Sequence, residues 1–548
     1  MEGNAFIKQN TLGAGSNNAR TENGAISYAT MGTALLDQFA KAGAFRGRDL
    51  EAVWADQSKL WSEDPESALK LPFYLRTITR KAKDNNGTST ESVQKGQGAK
   101  DESVKRLLWI AKYHPESFYK NLWLVPVVGS WRDLWVMLSM EASSGDKYLD
   151  HGKFWQVIAE GMNSEYSKDL VKKYMPRIRS NAKCTTDWAK NTNNLAKEFC
   201  HHVGWTYKEY REFKADGVAH DFQKIICSGR YSEIDWNKIP GKALLSLISS
   251  KFLDNHKLTE SYMAWLEKQP VAKFNGYVYE LGHKAMAYNL STSMATVMTV
   301  NKQFKQLVKT AEEGIDGGAI KGNVLCALDT SDSMTWVDFA GVTPLDICLS
   351  LGVYFSELNK GAFHNTVAMF SDESRLLQLS GEFVDKLSQI RNERPAMGST
   401  NFQSLIDLLV RTRQQHPEIP LEDYPSTLLI VSDMQFNKSN GYRYNPATGN
   451  REELSNYDTA MAKLKMAFPQ EFVDSFKIIW WNVAGRHTTD FPSTMEHGGT
   501  YMFSGFDGAI ISMLLGGDFQ EKPNNEAPSM EDIIRMAFDQ EVMRLIQL

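Results

Sequence analysis

The stretch Val324-Leu325-Cys326-Ala327-Leu328-Asp329-Thr330-Ser331-Asp332-Ser333-Met334 constrains the fold of this chain more than any other. A short apolar run without helical spacing predicts a strand buried on both faces, as in a parallel sheet, and this one stops at an acid followed by hydroxyls at alternate positions. Asp329, Ser331 and Ser333 then share a loop at the carboxyl end of a strand. One carboxylate and two hydroxyls so close together suit a hard divalent cation, which takes oxygen ligands.

Two later stretches extend the pattern. Met397-Gly398-Ser399-Thr400-Asn401 is a small-residue loop opening the amphipathic run 402–410, which puts the Thr400 hydroxyl at a helix start. Thr427-Leu428-Leu429-Ile430-Val431-Ser432-Asp433 is a second buried strand ending in an acid. In a βα alternation the three loops meet at one edge of the sheet, where doubly wound folds bind ligands. Asp329-x-Ser331-x-Ser333, Thr400 and Asp433 together resemble the metal-ion-dependent adhesion site of von Willebrand factor A domains. The resemblance implies a divalent cation on these five residues, Mg2+ first and Mn2+ or Ca2+ as alternatives, and a protein partner that supplies an acidic residue. That family's first motif reads Asp-x-Ser-Gly-Ser, and here Asp332 replaces the glycine. Its carboxylate either strengthens cation binding or obstructs a partner's acid.

A chain of 548 residues is too long for one core. Its charge is unevenly divided. Residues 1–320 hold 43 Lys and Arg against 36 Asp and Glu, a net of +7, and residues 321–548 hold 18 against 30, a net of −12. The first part therefore suits a polyanion better than the second. Cys184, Cys200, Cys227, Cys326 and Cys348 show no paired spacing, which fits a reducing compartment. Cys200-His201-His202 reads against zinc, because adjacent helical residues point apart. The amino terminus has no apolar signal core and no run is long enough to span a membrane, so the expected location is cytoplasmic.

Residues 1–28 lack periodicity and are expected to be mobile; 29–316 read as helical almost throughout, 317–525 as a βα alternation, and 526–548 as a terminal amphipathic helix over 530–546. Asp64-Pro65-Glu66 predicts a capped helix start. The polar stretch 83–98 predicts an exposed loop, and Gly314-Ile315-Asp316-Gly317-Gly318 a boundary. Strands are expected at 323–329, 366–370, 427–433, 476–483 and 500–507, all parallel, with helices at 344–358, 384–390, 402–413, 457–467 and 508–515. Many helices of ten to fifteen residues on short turns indicate a HEAT-like α-solenoid with degenerate repeats.

A second resemblance enters through Asp64-Pro65-Glu66-Ser67-Ala68-Leu69-Lys70, His114-Pro115-Glu116, Leu124 to Leu134 and Tyr174-Met175-Pro176-Arg177, which look like an uncharacterised family joining helical repeats to a von Willebrand A domain. Ser228 to Ala243 and Ser432-Asp433-Met434-Gln435-Phe436 resemble blocks of the Ro autoantigen, of the TROVE class. What this implies is a ring-shaped or crescent helical repeat that binds non-coding or single-stranded RNA on basic surfaces, closed by the α/β domain. Lys172, Lys173, Arg177 and Arg179 around Tyr174 offer phosphate donors beside a stacking ring, and Lys208, Arg211 and Lys214 continue them near Tyr207 and Tyr210. His283 and Lys284 follow another aromatic segment, and Arg132 lies in a segment carrying the resemblance. Each cluster also reads as an ordinary solvated helix face. Two other classes stay open. One is a protein-binding assembly component without RNA. The other is a metal-dependent phosphohydrolase or nuclease, disfavoured because Ser331 stands where haloacid-dehalogenase-like phosphatases need a second carboxylate; the chain is read as a non-enzyme.

Overall fold

The computed structural model describes residues 18–77, 80–83, 89–94, 96–215, 221–248, 251–287, 293–313, 320, 322–338, 341–394, 398–446, 449–485, 490–506 and 529–548. Helices dominate the chain up to Glu313, and several begin where a side-chain oxygen satisfies one of the first free amides. Asp64 accepts from Ser67 N at 3.0 Å while Pro65 takes the first position of helix Pro65–Arg76, where no amide hydrogen is needed. Asp49, Asp150 and Thr186 cap the helices Leu50–Glu63, His151–Asn163 and Asp187–Val203 in the same way. Many of the helices pack on their neighbours in sequence, as Leu50–Glu63, Pro65–Arg76 and Lys100–Tyr113 do, the pattern of stacked helical repeats. Trp135, Trp155 and Phe199 meet edge-on or tilted in the middle of one such stack.

The second half holds a six-stranded sheet built from β1 (Val324–Asp329), β2 (Thr366–Phe370), β3 (Ser374–Gln378), β4 (Thr427–Ser432), β5 (Lys477–Asn482) and β6 (Thr500–Ser504). Their order is β6-β5-β4-β1-β2-β3, and all pairs are parallel except β2 with β3. Every residue of β1, β2, β4 and β6 is buried, as continuous apolar runs covered on both faces require. The order reverses between β1 and β4, so a crevice opens there at the carboxyl edge. The fold class read from the sequence thus holds: a helical array joined to a doubly wound, von Willebrand A-like domain.

Several boundaries need correction. Residues 18–28 form an antiparallel hairpin, Asn18–Arg20 with Ile26–Tyr28, instead of a mobile segment; residues 1–17 lie outside the described residues. The expected loop 83–98 contains half of a ribbon, Arg80–Lys83 paired with Ser89–Gln94, so strands do interrupt the helices. β3 was not expected, because its side chains are half-buried or exposed with no regular alternation, unlike the apolar runs of the interior strands. A further ribbon, Tyr442–Asn445 with Asn450–Glu453, also went unread. The terminal helix stops at Phe538, where Asp539 closes it, and a single 3-10 turn follows at Met543–Leu545. The Gly-rich boundary at 314–318 and the helix expected at 508–515 lie outside the described residues.

Both ends of the helical array dock on the α/β domain. At one end, helix Ala34–Ala42 lies against β6, with Phe39 edge-on to Phe503 and the Arg46 guanidinium 4.4 Å from the Phe506 ring centre. At the other, helices Val278–Ala287 and Met294–Glu313 pack on Pro344–Leu358 and Phe383–Glu393; Phe304 stacks on Phe383 at 4.0 Å, and Lys305 pairs with Glu382 at 2.7 Å. Tyr279 from this second end meets the same Phe506 ring edge-on at 5.5 Å. The terminal helix Met530–Phe538 straps the first end, with Phe538 against Phe39 and Tyr74. Asn121 then exchanges two hydrogen bonds with the Gln547 backbone.

Gly282 sits where the array meets the domain, and a Cβ there would fall 1.8 Å from Ser350 Oγ. Gly282→Ala should therefore destabilise by about 1–3 kcal/mol, the cost of overpacking, whereas the same change in an unencumbered helix gains up to roughly 1 kcal/mol. Combining it with Ser350→Ala should recover part of the loss. Thermal unfolding followed by circular dichroism checks this, and a more stable single variant would contradict the packing.

Candidate metal centre and basic surface

Pairing of β1 with β4 puts Leu328 opposite Val431, so the residues that end the two strands lie side by side. Asp329 is fully buried; its Oδ1 accepts from Ser331 N at 2.9 Å and its Oδ2 from Ser432 Oγ at 2.6 Å. Asp433, also fully buried, accepts from Gln435 N at 3.2 Å. Burial, and then the neighbouring Asp433 carboxylate, push the Asp329 carboxyl up to about 7. Ser331 Oγ lies 3.2 Å from Ser333 Oγ. Hydrogen bonds stitch the three loops together. Asp332 N donates to Gly398 O, Asn437 N to Thr400 O, and Asn437 Nδ2 to Ser399 Oγ.

Thr400 Oγ1 is buried with no hydrogen-bond partner among the described residues. A buried hydroxyl normally has a partner, and an unsatisfied one costs about 1–3 kcal/mol. Two convergent carboxylates and an orphaned hydroxyl at a switch point fit a divalent cation: they supply negative charge and an oxygen with nothing else to bind. Asp332, the departure from the family motif, is drawn to Arg394. Arg394 donates to its Oδ1 at 3.2 Å and to Thr330 O at 3.0 Å. Cys200 faces the core while His201 and His202 face solvent, so that run does not converge.

The basic candidates divide. Lys173, Arg177 and Arg179 are exposed on and after helix Lys168–Tyr174, and Lys208 and Arg211 are exposed on helix Tyr207–Ala215, which packs beside it. Lys214 joins the two: it donates to Lys172 O at 3.0 Å, and burial and the nearby Arg177 charge hold its ammonium below the ordinary lysine range. Lys172 itself is turned inward, 4.9 Å from the Phe213 ring. Arg132 is exposed and stands over Trp188 at 5.3 Å. His283 is 2.8 Å from Asp346, the acid in the capping box of helix Pro344–Leu358, and half-buried Lys284 shares its helix, so both belong to the junction with the α/β domain.

A doubly wound sheet with one antiparallel edge, carrying Asp-x-Ser-x-Ser, Thr and Asp at its switch point, makes the second half von Willebrand A-like in fold; with the helical array it gives the two-part layout expected from the sequence. Comparison with known proteins adds particular relatives. Residues 21–215 match one domain of unknown function, DUF2828, and residues 323–543 another, DUF7788. An uncharacterized protein, L728 of Acanthamoeba polyphaga mimivirus, is 22% identical over 537 residues, spanning 91% of this chain and 84% of its own. Among solved structures, the Ro (RSR) protein of Deinococcus radiodurans is similar over 89% of this chain and 99% of its own, at 13% identity and a TM-score of 0.44. No helix among the described residues is long and apolar enough to cross a membrane.

The carboxylate pair makes a prediction of unusual sign. Because Asp329 is raised above its ordinary value of 3.8, its contribution to metal-free stability is complete below that value and is lost as pH rises through about 7. With chelator at pH 8, Asp433→Asn removes the like charge and should stabilise the chain by roughly 1–2 kcal/mol. Thermal unfolding with and without the substitution, at pH 5 and pH 8, checks this; a destabilised variant at pH 8 would mean that the two carboxylates do not repel.

Proposed function

We propose that the protein is an RNA-binding scaffold in which the helical array holds non-coding or single-stranded RNA, and the α/β domain recruits a protein partner through a bound divalent cation. The observation that carries the RNA reading is the convergence of two separate basic segments, through Lys214, into one patch containing Lys173, Arg177, Arg179, Lys208 and Arg211. Tyr174 lies within the patch, with the Lys173 ammonium 5.3 Å from its ring, and exposed Tyr207 opens the second helix. Cations beside aromatic faces suit a strand whose phosphates are neutralised while its bases stack. The charge split between the two halves supports the same assignment.

Asp329, Ser331, Ser333, Thr400 and Asp433 would hold the cation, Mg2+ in preference to Mn2+ or Ca2+, and the ion would offer a coordination position to a partner's carboxylate. Segments that follow the metal-site loops in sequence present Trp336, Val337, Tyr442 and Tyr444 to solvent, apolar groups that would suit contact with a partner. No catalytic role is assigned to any residue. All five cysteines are free thiols, a state that a cytoplasmic location maintains.

Filter binding of a single-stranded RNA at two salt concentrations tests the first half of the reading. Affinity should fall steeply with salt, and the double substitution Arg177→Ala with Arg211→Ala should weaken binding and reduce the salt slope by about 1 for each phosphate contact removed. Asp329→Ala should leave RNA affinity unchanged. Salt-insensitive or absent binding would favour a protein-binding scaffold. For the second half, millimolar Mg2+ at pH 8 should raise the unfolding midpoint of the wild type but not of Asp433→Asn, since binding to the folded state alone stabilises it.

A further inference from the structure

The amino-terminal hairpin grips the loop that carries Asp433. Downstream of that carboxylate, Gln435, Phe436 and Asn437 are held one after another. Glu22 N donates to Gln435 Oε1 at 2.8 Å, Asn23 Nδ2 to Gln435 O at 2.6 Å, and Thr21 Oγ1 to Phe436 O at 2.7 Å. Gly24 forms an antiparallel bridge with Asn437. The hairpin is itself anchored on both sides of this grip. Arg20 pairs with Glu453 at 2.9 Å, and Tyr28 exchanges two 2.8 Å backbone hydrogen bonds with Phe491. Thr21 Oγ1 also accepts from Ala25 N, so the same hydroxyl that reaches Phe436 folds the hairpin's turn.

The gripped loop is one that needs holding. Met434, directly after Asp433, has φ +65, a left-handed conformation that costs a non-glycine residue on the order of 1 kcal/mol and persists only where surroundings enforce it. Asn437 passes the restraint onward, donating to Thr400 O at 2.9 Å and to Ser399 Oγ at 2.9 Å. One element from the far end of the chain is thereby connected to the loops bearing two of the five oxygen ligands.

We propose that the hairpin Asn18–Tyr28 is a positioning element for the metal centre: Thr21 and Asn23 set the Gln435-Asn437 segment, which sets Asp433 and Thr400, so that cation affinity depends on the hairpin being seated. This rests on the metal reading above. Because the hairpin is held at this face by a few polar contacts, its release is a way to lower cation affinity without unfolding the sheet.

The test uses the full-length chain with Mn2+ as the probe, followed by titration calorimetry and by the electron paramagnetic resonance signal of free Mn2+. Thr21→Val and Asn23→Asp should each weaken Mn2+ binding roughly tenfold, the lower range for groups that orient metal ligands. Thr21→Ser keeps the hydroxyl and should restore wild-type affinity, while the unfolding midpoint in chelator should stay within a few degrees for all three. Unchanged affinity in Thr21→Val and Asn23→Asp overturns the proposal and leaves the metal reading standing. An affinity loss that Thr21→Ser does not restore, or that merely tracks a collapse of the unfolding midpoint, also overturns it. Failure of the wild-type chain to bind Mn2+ overturns the metal reading and this proposal together.

Discussion

Two carboxylates buried side by side at one sheet edge are what the α/β half is organised around. The parallel pairing of β1 with β4 brings Asp329 and Asp433 together in a buried position, and burial together with the Asp433 charge raises the proton affinity of Asp329. The surrounding loops answer with donors: Ser331 N and the Ser432 hydroxyl for one acid, Gln435 N for the other. The donors on Asp329 moderate the shift without removing it, since burial and the Asp433 charge still push its carboxyl up to about 7. A site that is costly when empty of positive charge is one in which cation binding and folding are linked.

The same edge shows how irregular backbone is recruited to hold chemistry. Asn437 bonds at once to the Thr400 and Ser399 loop and, through Asn456 Nδ2 on its carbonyl, to the helix Asn456–Ala467 behind it. Arg394 performs a comparable task for the first loop, spanning Thr330 O and Asp332. Under the proposed function the electrostatic division of the chain would keep the two roles apart, since an acidic half disfavours a polyanion and a basic patch on the helices favours it.

Much of this was legible in the sequence because the interior strands are unusually explicit. Runs such as Thr427-Leu428-Leu429-Ile430-Val431 admit few alternatives, and the acids that end two of them announce the carboxyl edge. What escaped notice shares a different property. Ser374-Arg375-Leu376-Leu377-Gln378 covers only an edge, so it carries no continuous apolar signal. The hairpin 18–28 is polar because its hydrogen bonds go to residues more than 400 positions away, a relation no local pattern records. Lys172 looked like its neighbours in a basic cluster, and only the packing of Phe213 from another helix separates it from Lys173. His283 likewise acquires its meaning from Asp346, which lies beyond the domain boundary.

Stacked helical repeats ordinarily have two vulnerable ends, which require specialised caps because the last repeat has no neighbour to cover its apolar side. Here Arg46 from the first end and Tyr279 from the second meet on a single ring, Phe506, and the α/β domain covers both. The array is therefore a hoop with a clasp instead of a spring with loose tips. Among the described residues both ends of the array are covered, so melting of either half would uncover apolar surface on the other.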